Sequence, residues 1–542
     1  MQERMPVSLK GDLDQELKRM AEVLQQNPNH SSSTPLIEVT PENCAYLDDL
    51  ISVFSQHGIH QVEFILPELE QFSANQLFHL IGFFDKLSKA SESPVEVRAG
   101  YAKTLWALQN HQAGIAAGAP QPPGKQTNLE KALNLARRYA RKYLPPPSAG
   151  RYHNPVTEKL PEWESVLVTG WYGTETSGDK AILGELLHRL WGGNPQLKVT
   201  VTSIDPKVSR KTSQEFGWGD QLAVVDLNHA GREADRYDAV IFGGGPIMET
   251  AKLEQVAEIF IKANAARRAR VLFGCGVGPI WSDRIRHAAA QICRTASAGF
   301  FRDAESLGFA RRLGAGSQLE AACDPSVAFV DRWRKNHATP GRDDGRMLIS
   351  TLLREQTREF YRDSNPLNGL NQAFSAKIAQ TLRNLSDAQP DAEVQMLAMH
   401  MYWRGMDDRL FNRKIAAELE GNLPVSVVRE YLDLFSVLER LSRSDAAVAM
   451  RYHSHLFSIA LGVPFLSIDY TGERGKVANL MGMIGYQDYL EEYDSYDSNS
   501  ASEKLMQVIS EREQIRTNLL AQTEVLVHKL EDAFADLFGA PA

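Results

Sequence analysis

From Ser165 onward the chain runs twice through a series of short apolar segments separated by helical ones, and few architectures accommodate that pattern. The first series is SVLVTG, LKVTVTS, AVVDL, YDAVIFGGG, ARVLFGCGVGP and AGFFRD. After the loop HATPGRDDG a second begins with RMLISTLL, AEVQMLAMH, VSVV, DAAVAMR and VPFLSID, interleaved with helices such as FSAKIAQTLRNLSDA. Uninterrupted apolar runs mark strands buried on both faces, hence parallel sheets covered by helices. The pattern predicts an α/β chain with two tandem doubly wound, Rossmann-like domains, residues 161–335 and 345–490. Ligands are expected at the carboxyl ends of the strands, where the two sheets face each other across a cleft.

At 542 residues the chain has material beyond these two cores. Residues 1–33 are polar and end in NPNHSSSTP, which reads as a short helix and a joint. Residues 34–110 alternate strand and helix (LIEV, ENCAYLDDLISVFSQHG, HQVEFILP, SANQLFHLIGFFDKLSKA, PVEVRA), a small α/β module. Residues 111–160 form a Gly-, Pro- and Ala-rich linker carrying the basic amphipathic helix LEKALNLARRYARKYL. That helix suits either an anionic lipid or acidic surface, or a solvated face packed on the main body. Residues 500–540 read as one long C-terminal helix, expected to cross back onto the first domain.

Composition narrows the function classes. A net charge of −9 argues against a sequence-independent grip on nucleic acid. The four cysteines, Cys44, Cys275, Cys293 and Cys323, lack both paired metal spacing and the density of a disulfide scaffold, which points to a reducing compartment. No run approaches the roughly 20 apolar residues of a membrane span, and MQERMPVSLKGDLDQ lacks a signal-peptide core, so a cytoplasmic location is expected.

Chemistry gathers at the strand ends. GWYGTETSGDKAIL (170–183) follows a strand and opens a helix whose amides suit an anion, yet it is neither a Walker loop nor a dinucleotide fingerprint. Its Gly178-Asp179 pair either caps an ordinary turn or accepts hydrogen bonds from a polyhydroxylated molecule. FGGGPIMET (242–250) and FGCGVGPI (273–280) bring Gly244, Gly245, Gly276 and Gly278 to the next strand ends, where the missing Cβ permits close approach. FFRDAESLGFARRLG (300–314) places Arg302 and Asp303 before a helix, as a turn-fixing pair or as a two-pronged anion clamp. CDPSVAF (323–329) reads as a structural turn near the hinge.

In the second series ISTLLRE sets Arg354 past a strand, and LAMHMYWRGMDDRL sets His400, Arg404, Asp407 and Asp408 past another. AVAMRYHSHLFSIALGVPFLSIDY (447–470) delivers Arg451, Tyr452 and His453 at a strand end, with His455 opening the next helix. Arg451 and His453 alternate along extended chain, so both can face the cleft.

In this order the motifs resemble the polysaccharide pyruvyl transferase family. The likeness runs over about 165–490: the Gly-Asp-x-Ala-Ile-Leu start, Gly-Gly-Gly, Gly-x-Gly-Val-Gly-Pro, Arg-Asp-x-x-Ser, Asp-Pro, a strand ending in Leu-Arg, then Arg-x-His, Gly-Val-Pro and Tyr. Two positions depart: Thr176-Ser177 stand where the family has Asn-Leu, and Tyr470-Thr471-Gly472-Glu473 replaces a Tyr-Asp-Pro-Lys-like stretch, with Lys476 further on. The resemblance implies a GT-B-like fold and transfer of pyruvate from phosphoenolpyruvate onto a sugar as a cyclic ketal. It implies His453 as the catalytic residue and Arg451 as a donor ligand. Arg302, Arg354, Gly276 and Gly278 are expected beside the donor, and Asp179, Gly178, Gly244, Gly245 and His400 beside the acceptor. Neither metal nor resident cofactor is expected, phosphoenolpyruvate being a co-substrate. The expected partner is a saccharide of surface-polysaccharide assembly, which would place the enzyme at the inner face of the membrane. Lipid linkage of the acceptor, peripheral membrane association and homo-oligomerisation stay open. The alternatives are a nucleotide-sugar glycosyltransferase on the same plan, or an inactive relative serving as a binding or assembly protein.

Overall fold

The computed structural model describes residues 163–539, apart from 175, 338–344, 358–366, 403–405, 420–423 and 472–474, together with short pieces of the first 97 residues. The linker and its basic helix at 111–160, and Arg404, lie outside the described residues.

The N-terminal unit contains a four-stranded parallel sheet in the order β1 (Arg4–Val7), β2 (Thr34–Glu38), β3 (Gln61–Ile65), β4 (Glu96–Val97). This corrects one expected boundary. The polar segment 1–33 is not separate from the α/β module, because Arg4–Val7 pairs with Thr34–Ile37 and supplies an outer strand.

The first large domain is a seven-stranded sheet. Its strands are β5 (Ser165–Thr169), β6 (Lys198–Ser203), β7 (Leu222–Asp226), β8 (Ala239–Gly243), β9 (Ala269–Cys275), β10 (Ala298–Phe301) and β11 (Leu319–Ala321). The order is β11-β10-β9-β8-β5-β6-β7, with every pairing parallel. Strands β8 and β9 are buried at every position, which is why their sequences show no polar alternation. The chain builds outward from β5 to one edge and returns beside it at β8, so the topological switch point lies between these two strands.

The second domain follows the same plan. Its six parallel strands are β12 (Leu348–Leu352), β13 (Glu393–Met396), β14 (Val425–Val427), β15 (Ala446–Ala449), β16 (Phe465–Asp469) and β17 (Leu490–Glu492), ordered β14-β13-β12-β15-β16-β17. Its switch point lies between β12 and β15. The chain is thus α/β with two Rossmann-like domains, as the alternation predicts. The short edge strands β11 and β17 escape the sequence pattern because their sequences, LEA and LEE, carry no apolar run.

The C-terminal segment is two helices rather than one. Ser498–Ser510 stops at Glu511, which is not helical, and Arg512–Phe538 follows. The second helix does return to the first domain: Phe534 stacks on Phe273 at 5.5 Å between ring centres and meets Phe300 edge-on, while Arg189 pairs with Glu531 at 2.8 Å. Burying a ring of this size stabilises by about 2–3 kcal/mol. The same helix also holds the second domain, since Thr523 Oγ1 donates to the carbonyl of Ile459 at 3.0 Å.

Candidate active site

The two switch points open onto one cleft of about 450 Å³, lined from both domains. Facing loops close its floor. The amide of Ser177 donates to the carbonyl of Met399 at 2.9 Å, and the Tyr402 hydroxyl donates to Asp205 at 3.0 Å. His400 is buried at this seam, its Nδ1 2.8 Å from the hydroxyl of Thr176, and it also lines the cleft.

Cations and tyrosine rings alternate along one wall. The guanidinium carbon of Arg302 lies 4.3 Å from the centre of the Tyr452 ring. Lys476 Nζ is 5.5 Å from that ring and 5.4 Å from the ring of Tyr470, whose other neighbour is Arg354 at 5.2 Å. Cation–π attraction, roughly 0.5–2 kcal/mol per contact, offsets part of the repulsion among three crowded cations. The field they make can be read from their neighbours. Burial works to raise the Tyr470 phenol, but the charges of Lys476 and Arg354 outweigh it and hold the group below its ordinary range. Burial, with Arg302 and Arg354 close by, likewise depresses Lys476. A pocket of this character favours an anion.

His453 begins the helix Tyr452–Leu461, which starts directly after β15. Its Nε2 lies 3.6 Å from Oδ2 of Asp324, a residue of the first domain that follows β11. Both atoms are buried and neither makes a hydrogen bond among the described residues, so the contact is electrostatic. The other carboxylate oxygen of Asp324 accepts from the amide of Ser326 at 3.0 Å. Burial opposes ionisation of Asp324, yet the charges of His453 and Arg302 hold its carboxyl below the usual range.

Asp179 sits in the first turn of the helix Ser177–Gly193 and lines the cleft. The alternative in which its side chain caps that helix does not apply: the N-cap is Thr176, without a side-chain cap. Burial, reinforced by Asp324, pushes its carboxyl up to about 6 against the pull of His453, Lys476 and Arg302.

Arg451 also lines the cleft, but its fork is engaged. Nε and Nη2 donate to the two oxygens of buried Asp408 at 2.6 and 2.5 Å. Asp408 Oδ2 also accepts from the amides of Met399 and His400 at 3.2 and 3.0 Å, so the pair braces the loop after β13.

The expected glycines divide. Gly245 lines the cleft at φ +79°, and a Cβ there would lie 2.3 Å from Trp171. Gly178, Gly244 and Gly276 likewise make room for side chains: a Cβ would fall 2.0 Å from the His453 ring, 2.8 Å from the Tyr172 ring and 2.4 Å from the Arg302 guanidinium, respectively. Gly278 faces a neighbouring cavity. The two glycine loops also zip together, Ile247 N to Gly276 O and Gly278 N to Ile247 O, both at 2.8 Å, which fixes their backbones beyond the sheet.

Asp324, Asp408, Tyr452, Tyr470 and Lys476 are not among the residues expected beside the donor or the acceptor. His455, singled out with them, is structural: its nitrogens meet Arg451 O and Ser467 Oγ at 2.9 Å, and burial lowers it to about 4. Among the described residues no group of three or more His, Cys, Asp or Glu is placed to hold a metal, and no helix is long and apolar enough to cross a membrane.

Among solved structures the chain is similar to a putative UDP-N-acetylglucosamine 2-epimerase from Listeria monocytogenes, with TM-score 0.46, 10% identity, and coverage of 71% of this chain and 99% of that one. It is also similar to UDP-GlcNAc 2-epimerase from Neisseria meningitidis bound to UDP-GlcNAc (TM-score 0.43, 12% identity, 68% and 99%). A third is α,α-trehalose 6-phosphate synthase from Burkholderia multivorans (TM-score 0.43, 11% identity, 69% and 96%). No curated protein matches the sequence. The sequence model of polysaccharide pyruvyl transferases matches residues 176–472, a span that runs from the helix bearing Asp179 past the Arg451-Tyr452-His453 strand end. More than half of the chain lies within that match, and the protein belongs to the polysaccharide pyruvyl transferase family.

Proposed function

We propose that this protein transfers pyruvate from phosphoenolpyruvate to two hydroxyls of a saccharide, forming a cyclic ketal. The observation that carries the reading is the wall of Arg302, Lys476 and Arg354 facing a histidine held beside a carboxylate. Phosphoenolpyruvate carries a carboxylate and a phosphate on one short carbon skeleton, and a wall of three cations offers charge to both groups. The methylene carbon takes one proton and becomes a methyl group. The adjacent carbon gains two C–O bonds to the acceptor and loses its bond to phosphate. Of the two protons released by the acceptor hydroxyls, one balances the methyl group and the other leaves on phosphate.

His453 is the proton donor, with Asp324 beside its ring. Asp179, with its carboxyl raised to about 6, is ionised at neutral pH and basic enough to take a hydroxyl proton. Arg451, locked to Asp408, holds the loop carrying His400 against the acceptor side. Phosphoenolpyruvate enters as co-substrate, and the acceptor is a saccharide of polysaccharide assembly.

Thermal shift with phosphoenolpyruvate and with a panel of nucleotide sugars tests the donor class directly, because a ligand that binds only the folded state raises the melting temperature. Phosphoenolpyruvate should raise it, and phosphate should be released when saccharides are added. A shift with a nucleotide sugar and none with phosphoenolpyruvate would sink the proposal.

A further inference from the structure

Departure of phosphate calls for a proton that neither His453 nor Asp179 gives: His453 spends its own on the methylene carbon, and Asp179 receives one from a hydroxyl. Two phenols stand in the cationic wall. Tyr452 and Tyr470 both line the cleft, and Lys476 lies near both rings. Their surroundings differ. Burial, with the carboxylates of Asp324 and Asp303, pushes the Tyr452 phenol well up. Tyr470 stands instead between Lys476 and Arg354, which lie 5.4 and 5.2 Å from its ring centre. Lys476 is also hydrogen-bonded to its phenol. An ammonium only donates, so the oxygen is the acceptor in that bond and the phenol's own proton is not spent on it. The residue is 4% exposed and directly follows β16. Its carbonyl accepts from Gln356 Nε2 at 2.7 Å, and the amide of Gln356 donates to Asn371 at 2.8 Å, which fixes the backbone that carries the phenol.

We infer that Tyr470 is the general acid for the departure of phosphate. The inference rests on the pyruvyl-transfer reading of the cleft. Lys476 and Arg354 are two of the three cations offered to the donor, so a phenol held between them meets the donor's anionic end. The phenol gives its proton to the bridging oxygen as the bond from that oxygen to carbon breaks, and the leaving group departs as hydrogen phosphate. The charges that hold this phenol below its ordinary range also stabilise the phenolate left behind. The phenolate then takes the proton of the second acceptor hydroxyl as that oxygen bonds to the pyruvyl carbon, which restores Tyr470. The proton of the first hydroxyl, taken by Asp179, replaces the one that His453 gave to the methyl group. No proton is left over.

The test is Tyr470→Phe in the full-length protein, incubated in heavy water with phosphoenolpyruvate and the saccharide that gives the fastest phosphate release in the wild type. Protonation of the methylene carbon and attack by the first hydroxyl do not need the phenol, but the adduct they form cannot go forward. Phosphate release should fall at least about 100-fold. The stalled adduct reverts, so recovered phosphoenolpyruvate should carry deuterium on its methylene carbon. Mass spectrometry should show the ratio of deuterated donor to released phosphate at least about 10-fold above that of the wild type. Unchanged release, or a loss of release without that rise, would overturn the role. If the variant gives no cooperative melting transition, a difluorotyrosine at the same position keeps the ring and makes the phenol more acidic. The ratio should then move at least about 3-fold, and a ratio equal to that of the wild type would overturn the role as well. Wild-type protein that releases no phosphate with any saccharide would instead overturn the pyruvyl-transfer reading and this role with it, a failure that is visible before any variant is made.

Discussion

Asp324 and His453 come from opposite domains, and the 3.6 Å between their side chains exists only when the cleft is assembled. The contact joins a proton-transfer group of one domain to a charge of the other. Replacing His453 by Ala should lower turnover by about 100-fold or more at saturating phosphoenolpyruvate. Asp324→Asn should lower it by about 10-fold, because the imidazole loses the carboxylate beside it. Steady-state phosphate release measures both effects. An Asp324→Asn rate equal to that of the wild type would remove Asp324 from the mechanism.

Asp179 gives a prediction in which stability and activity move in opposite directions. Its carboxyl is raised from 3.8 to about 6 by burial, so the folded protein holds the proton more tightly than the unfolded chain. The associated stability is fully present below pH 4 and is lost as pH rises through 6. Asp179→Asn removes that loss and should stabilise the protein by up to about 3 kcal/mol above pH 6, with no gain below pH 4. The same substitution should reduce turnover by about 100-fold, and wild-type activity should rise with pH to a plateau above 6. Calorimetry at pH 4 and 7.5 beside kinetics on both proteins decides the matter.

The cationic wall predicts where donor affinity resides. Hydrogen bonds to charged groups are worth about 1.5–3 kcal/mol, so Arg354→Met and Lys476→Met should each weaken phosphoenolpyruvate binding by about 10- to 100-fold. Tyr452→Phe keeps the ring that separates Arg302 from Lys476 and should change affinity little. Titration calorimetry reads all three. Equal losses from the tyrosine and the cation variants would mean that the phenol, not the charge, makes the contact.

Gly178→Ala probes the histidine without touching it. A Cβ at this position would fall within 2.0 Å of the imidazole, so the ring must move. Turnover should fall at least 10-fold while the shift in melting temperature induced by phosphoenolpyruvate persists. Loss of that shift as well would show that displacing the ring also disturbs donor binding.

Much of this arrangement is legible in the sequence, and what is hidden has identifiable causes. Apolar runs without alternation disclose buried parallel strands, and Arg302, Arg354, Arg451 and His453 stand at strand ends, where side chains reach the cleft. Asp324 is hidden because Asp-Pro is ordinary turn chemistry, and only the approach of the second domain gives its charge a partner. Lys476 has no strand end to mark it, and its place between two tyrosine rings depends on the packing of the helix it opens. The glycines are visible as points of close approach, but a sequence cannot show whether a ligand or a neighbouring side chain fills the space. At Gly178, Gly244, Gly245 and Gly276 a side chain does.

Arg451 and Asp408 supply the sharpest test of which cations bind and which brace. The fork is bidentate, and Asp408 is 1% exposed in its side chain, so removing the guanidinium strands a buried carboxylate that must still accept two backbone amides. Breaking such a pair costs about 3–5 kcal/mol, and Arg451→Ala should lose that much stability in denaturant unfolding. The double variant Arg451→Ala/Asp408→Ala no longer buries an uncompensated charge. It should therefore be less destabilised than the sum of its single variants by at least about 1 kcal/mol. Strict additivity would mean that the two side chains are not coupled. Arg451 would then be available to the donor, and the division of labour between it and the Arg302–Lys476–Arg354 wall would have to be redrawn.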